Sequence, residues 1–221
     1  MKTGYKRVSS RTNNRPLTEH KLIEAVGSVI KKKGYKGLTA RIIAREADVT
    51  TSLIFKYFGT MDKLISIYIA EKDYWMSSKT QLSKMLEKMH KKRGLQEMLV
   101  YVLEKQFDYF YRDEEMQQLI LWEITEKCSI MDDIGGIRES LAREFFNHTD
   151  PIFEGSGVSF KAVAALLVSG IYYLVLHTRT NHSTLCGINI HSEADRAEII
   201  RTIRQVLQWT FDAAKTKRYT G

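Results

Sequence analysis

The stretch TARIIAREADVTTSLIFKYF, Thr39 to Phe58, decides the fold. Thr39 can cap a short helix whose Ile43, Ala44 and Ala47 share one inward face. Asp48-Val49-Thr50 breaks that helix, because Asp tolerates the left-handed backbone that a tight turn needs. Thr50 or Thr51 can cap the next helix, Ser52 to Phe58, where Ile54 and Phe58 lie four apart and face the same core. Two short helices joined by a four-residue turn make a helix-turn-helix unit.

The outer face of the second helix carries Thr50, Thr51, Ser52, Phe55 and Lys56. A helix is narrow enough for the major groove of B-DNA, and a small, polar face can approach base edges there. The helix starts at Thr39 and Thr60, beside Arg41 and Lys63, present amide groups that suit phosphate oxygens. Each of these residues taken singly also reads as a cap or a solvated position. Charge decides between the readings.

The 221-residue chain has a net charge of +8, and that charge is unevenly placed. Residues 1–72 hold 15 Lys and Arg against 6 Asp and Glu, whereas residues 73–221 hold 19 against 20. The excess lies entirely in the first third and points to a polyanion partner at that end. Residues Lys2 to Arg15 have few large apolar side chains and read as a flexible basic arm, which can add phosphate or minor-groove contacts.

Upstream of the deciding stretch, Leu22, Ile23, Val26, Val29 and Ile30 recur at spacings of three and four. Thr18 is the expected cap of this helix and Gly34 its stop. Downstream, Thr60 caps a fourth helix expected to run past Trp75. Helical spacing continues in Gln81 to His90, Leu95 to Tyr111, Glu114 to Cys128, Ile137 to Asn147, Phe160 to Thr178 and Ala194 to Lys215. Expected breaks include Arg112–Asp113, Gly135-Gly136 and Pro151–Gly157. The expectation is an all-α protein with three parts: a flexible arm at 1–16, a helix-turn-helix domain at 17–75, and an effector-binding and dimerisation domain at 76–221.

The order and spacing of Gly34-Tyr35, Thr39-Ala40-Arg41-Ile42-Ile43-Ala44, Ala47-Asp48-Val49-Thr50, Leu53-Ile54-Phe55-Lys56-Tyr57-Phe58 and Asp62-Lys63-Leu64 resemble the signature of the tetracycline-repressor (TetR/AcrR) family. The resemblance covers about residues 17 to 75. It implies a three-helix DNA-binding head with Ser52 to Phe58 as recognition helix, in a homodimer on palindromic double-stranded DNA. Carried over by position, it implies that Thr50, Thr51, Ser52, Phe55, Lys56 and Tyr57 face DNA and that Thr39, Arg41 and Lys63 hold phosphates. It further implies a ligand-responsive regulator, a repressor in the usual case. This sequence departs from the family pattern at Asp48 and Ser52, where Gly is usual, at Phe55, where Tyr is usual, and at Gly59, where Pro is common. Ile42 is apolar where the family is polar. Phe55 lacks a hydroxyl for phosphate and can instead touch a thymine methyl.

The remaining two thirds reads as a ligand-binding and dimerisation body. Phe160 to Thr178, with Ala164, Ala165, Ser169 and Gly170, allows close helix approach. Ala194 to Lys215 carries Ile199, Ile203, Val206 and Thr210 in one stripe, and two such helices per subunit give a four-helix interface. The middle of the chain is rich in Met and aromatic residues, which suit an adaptable apolar pocket as well as an ordinary core. Met89, Phe107, Tyr111 and Trp122 are the candidate pocket residues, with Glu123 and His177 as polar anchors.

Other function classes find less support. Glu87-Lys88-Met89-His90 is a single E-x-x-H, whereas a carboxylate-bridged metal protein uses two. No HExxH, P-loop, dinucleotide fingerprint or GxSxG motif occurs, so neither catalysis nor a cofactor is expected. Cys128 and Cys186 make no disulfide framework, although Cys186, in an expected loop, could sense redox state. No apolar leader opens the sequence, and Ala162 to Leu176 is shorter than the roughly 20 residues of a membrane helix, so a cytoplasmic protein without membrane contact is expected. Control by a protein partner instead of a small molecule stays open at this level.

Overall fold

The computed structural model describes residues 15–87, 92–181 and 183–216. The described residues form ten α-helices and no β-strand, as the helical spacing predicts. The expected arm at 1–16 therefore lies outside the described residues apart from its last two, Arg15 and Pro16, which belong to the first helix. The chain divides into two compact units between Tyr68 and Ile69.

The amino-terminal unit contains α1 (Arg15–Lys33), α2 (Ala40–Glu46), α3 (Thr51–Phe58) and the start of α4 (Met61–Lys72). Helix α1 is already formed at Arg15, ahead of the expected cap Thr18. Pro16 sits in the first turn, where a missing N–H breaks no bond, and Arg15 pairs with Glu19 one turn on. The helix stops at Gly34, whose φ of 66° suits glycine, with Lys31, Lys32 and Lys33 at its negative end. Leu22, Ile30, Ile43, Ile54 and Leu64 are wholly buried and form the core. Each contributes on the order of 1.5–3 kcal/mol by leaving water. At the surface beside this core, Glu46 of α2 accepts from Ser28 and Lys32 of α1.

The carboxyl-terminal unit holds α5 (Tyr74–Glu87), α6 (Lys92–Arg112), α7 (Glu114–Thr125), α8 (Ser129–Phe153), α9 (Phe160–Thr180) and α10 (Glu193–Thr216). The expected run of the fourth helix past Trp75 is not found. Helix α4 ends at Lys72, and the Asp73 carboxylate accepts from the Met76 amide at 3.0 Å, starting α5. The expected break at Gly135-Gly136 is also absent, because Ile130, Met131, Ile134, Leu141 and Phe145 keep one buried stripe through the glycines. At the far end, Phe153, Phe160 and Phe211 close the core with ring centroids 5.0–6.0 Å apart. Arg196 pins the segment before α10 by donating to the carbonyls of Ile190 and His191.

Helices α9 and α10 carry apolar side chains outward. Leu166 is 75% exposed, Tyr173 58% and Trp209 64%. The expected stripe on α10 turns the other way, since Ile203 and Thr210 are buried inside the protomer. The segment Phe160–Arg179 is long and apolar enough to cross a membrane by length and composition. It is longer than the apolar run Ala162 to Leu176, and helices of soluble proteins can share that length and composition.

A Cβ built on either Gly135 or Gly136 meets nothing within 4 Å. Gly136→Ala therefore removes backbone freedom from the unfolded chain without a clash. It should stabilise the protein by about 0.5–1 kcal/mol, read as a higher denaturation midpoint at unchanged slope.

Candidate nucleic-acid interface and apolar cavity

The turn between α2 and α3 is built by Asp48, whose φ is 55°. The Val49 amide donates to the Ala44 carbonyl at 2.9 Å and closes the corner. Ile54 is buried, which fixes the rotation of α3 and turns Thr51, Ser52, Phe55 and Lys56 to solvent. Phe55 is 51% exposed on this face. Thr50 has the extended backbone of a cap but makes no capping bond through its side chain. Its hydroxyl pairs with that of Ser52 at 3.0 Å.

Tyr57 is half-buried between two cations. The Arg15 guanidinium lies 5.3 Å from its ring centroid and the Lys56 ammonium 5.7 Å. The ring thus helps hold both charges beside the exposed face of α3. At the other candidate phosphate positions, the Thr39 hydroxyl accepts from the Ile42 amide and caps α2. The Thr60 hydroxyl accepts from the Lys63 amide at the start of α4. Arg41 and Lys63 are exposed next to these caps. An exposed helix of this kind, bearing small polar groups and one cation, has the chemistry to enter a groove while its neighbours grip the backbone.

A second feature lies wholly within the carboxyl-terminal unit. A cavity of about 520 Å³, partly open to solvent, is walled by residues of α5 to α10. Its walls are mostly apolar, with Leu99, Leu103, Leu141, Phe145 and Val168 among them. A polar cluster borders it. Arg138, on the wall, donates through Nε to Asp73 at 2.8 Å and through its other nitrogens to Asp73 and Glu123. Asp73 is wholly buried. Burial opposes the Arg138 charge, but the two carboxylates outweigh it and keep the guanidinium ionised. Also on the wall, the Tyr172 hydroxyl accepts from the Trp75 indole N–H at 3.0 Å. Burial raises the pKa of Tyr172. Beside it, the wholly buried Gln106 amide has neither polar atom in a well-formed hydrogen bond.

The pocket candidates from the sequence separate in space. Glu123 lines the cavity. Phe107 and Trp122 are buried but are not on its wall. Tyr111 is elsewhere, its hydroxyl accepting from Arg196 at 3.1 Å. His177 pairs with Ser183 at 3.2 Å. Met89 lies outside the described residues, as does His90 of the E-x-x-H. The residues that the sequence reading passed over are Asp73, Trp75, Gln106, Arg138 and Tyr172. Arg138 did leave a signal, because it falls on the apolar stripe between Ile134 and Leu141.

Residues 22–66 match the family described as bacterial regulatory proteins, tetR family. No curated protein matches the chain. Among solved structures, the chain is similar to a Clostridium perfringens protein named for a proposed role in regulating fatty acid metabolism, with a TM-score of 0.62 at 15% identity over 85% of this chain and 96% of that one. It is similar to the transcriptional regulator FadR of Bacillus subtilis, solved in complex with stearoyl-CoA, with a TM-score of 0.59 at 16% identity over 85% and 96%. The fatty acid degradation regulator FadR of Bacillus halodurans gives 0.56 at 16% identity over 86% and 94%. At these identities the likeness is one of fold.

Removing Arg138 leaves a fully buried carboxylate unpaired. Arg138→Met should cost about 3–5 kcal/mol of stability in chemical denaturation. The double variant with Asp73→Asn should recover much of that loss.

Proposed function

We propose that this chain, whose residues 22–66 match the tetR family of bacterial regulatory proteins, is a DNA-binding transcriptional repressor released from a palindromic operator by a small apolar or amphipathic ligand. The observation that carries the DNA-reading assignment is the outward face of α3, with Ile54 locked in the core and Thr51, Ser52, Phe55 and Lys56 exposed. Thr50 and Tyr57 join that face, and Thr39, Arg41 and Lys63 hold phosphates. The basic first third supplies the salt-dependent attraction.

The functional unit is a homodimer, and the exposed apolar face of α9 and α10 supports it. Leu166 and Tyr173 are better covered by a second copy than by water. A two-fold dimer would set its two recognition helices about 34–36 Å apart, on successive major grooves. The domains are a basic arm, a DNA-binding head and an effector-binding body that also dimerises. We read the protein as a cytoplasmic binding protein and not an enzyme.

The cavity favours a small-molecule effector over control by a protein partner, which needs no such space. The stearoyl-CoA bound by the Bacillus subtilis neighbour supports an occupant with a long apolar tail. Release would follow population shift: the ligand lowers DNA affinity by its preference for the state that does not bind DNA. Helix α4 is the covalent link along which that preference acts, because the division between the two units falls within it.

Genomic fragments captured on the full-length protein at physiological salt, then sequenced, test the reading. A shared palindrome is the expected result, and retention without any shared motif would refute sequence-specific dimeric binding. On the captured site, Lys56→Ala should weaken affinity by about tenfold, the scale of one to three kcal/mol for a lost specific contact. The wild-type affinity should fall steeply with salt. Leu166→Glu should shift the dimer toward monomer in sedimentation velocity while leaving helicity unchanged.

A further inference from the structure

The charges around the cavity in the carboxyl-terminal unit favour one sign of ligand. Four charged residues line it, Glu123, Arg138, Glu139 and Lys161. Both cations are engaged. Arg138 is shared between Asp73 and Glu123, and the Lys161 ammonium donates to Asp150 at 2.8 Å. Glu139 is exposed and has no ion pair or hydrogen bond among the described residues. On the wall itself two carboxylates stand with two cations, and each cation is already paired, Arg138 with Asp73 behind the wall and Lys161 with Asp150, which leaves the Glu139 charge unbalanced.

The rings on the wall point the same way. Trp75, Phe145, Phe146 and Tyr172 line the cavity. Phe146 already has a cation over its face, the Lys161 ammonium 5.3 Å from the centroid. An anionic head entering here meets no unpaired cation and an excess of negative charge. A positive head meets carboxylates and aromatic faces in a partly desolvated site, where both attractions exceed their values in water.

We propose that this cavity binds an amphipathic cation, a lipophilic amine or quaternary ammonium, with its positive head at Glu139 and Glu123 and its apolar tail along Leu99, Leu103, Leu141 and Val168. The proposal rests on the reading of this cavity as the effector site and specifies the chemistry of the effector. It separates this chain from a regulator of acyl anions or acyl-CoA, whose head groups need free cations.

Four probes test it on the full-length protein: decyltrimethylammonium, decanol and decanoate, whose alkyl tails differ by at most one carbon, and stearoyl-CoA. Binding is measured by calorimetry below the micellar concentrations. Decyltrimethylammonium should bind at least about tenfold more tightly than decanoate, with decanol between them. Glu139→Gln should shrink that ratio several-fold while leaving decanol unchanged. Decanoate or stearoyl-CoA binding as tightly as the ammonium would overturn the proposal, and so would a ratio unmoved by Glu139→Gln. If the ammonium binds as expected but does not release captured DNA, the head-group preference stands and the effector reading falls. If none of the probes binds, both fall.

Discussion

The carboxyl-terminal unit depends on a single guanidinium. Arg138 reaches from α8 to Asp73, which stands wholly buried where α4 gives way to α5, and to Glu123 on α7. Asp73 in turn starts α5 by accepting from the Met76 amide. Nearby, the Tyr109 hydroxyl donates to the Lys72 carbonyl at 2.7 Å, and Lys72 pairs with Glu115. The end of α4 is therefore tied by polar bonds to α6, α7 and α8. An ion pair this far out of water gains little net stability over an apolar substitute, but breaking one side is costly. Its value is geometric, because three helices are held in register on directional bonds that a purely apolar core would not supply.

The same cluster gives the cavity its chemistry. An apolar hollow in a helical body accepts any tail of suitable size, so selectivity must come from the few polar groups on its wall. Here those groups are already committed to one another. Arg138 is spent on structure, and what is left facing the hollow is carboxylate and aromatic ring. In the proposed effector site, a residue that secures the fold would thus also bear on which head groups the cavity accepts.

The head was legible in the sequence because its signals are local. Thr39 and Thr60 cap where expected, Asp48 takes the left-handed turn, and Ile43, Ala44 and Ile54 are buried as their spacing predicts. The body was legible in class but less so in detail. Gly135-Gly136 looked like a break by composition, yet the buried stripe from Ile130 to Phe145 carries α8 through it. A count of Met and aromatic residues does not separate core from cavity wall: Glu123 lines the cavity, whereas Phe107 and Tyr111 lie off it. A better signal was a polar residue on an apolar stripe. Asp73 follows Ile65 and Ile69, Gln106 sits between Leu103 and Phe110, and Arg138 between Ile134 and Leu141. Those positions are costly for polar groups unless something pairs with them, and they mark the polar end of the cavity.

The bare face of α9 has a genetic consequence. In the proposed dimer, the surface that joins subunits is separate in sequence from the surface that reads DNA. A subunit with a ruined recognition helix would keep Leu166 and Tyr173 and still pair with an intact one. Such mixed pairs would hold only one working reading head. Lesions in α3 would then act dominantly over a normal copy in the same cell, while lesions that spoil α9 would be recessive.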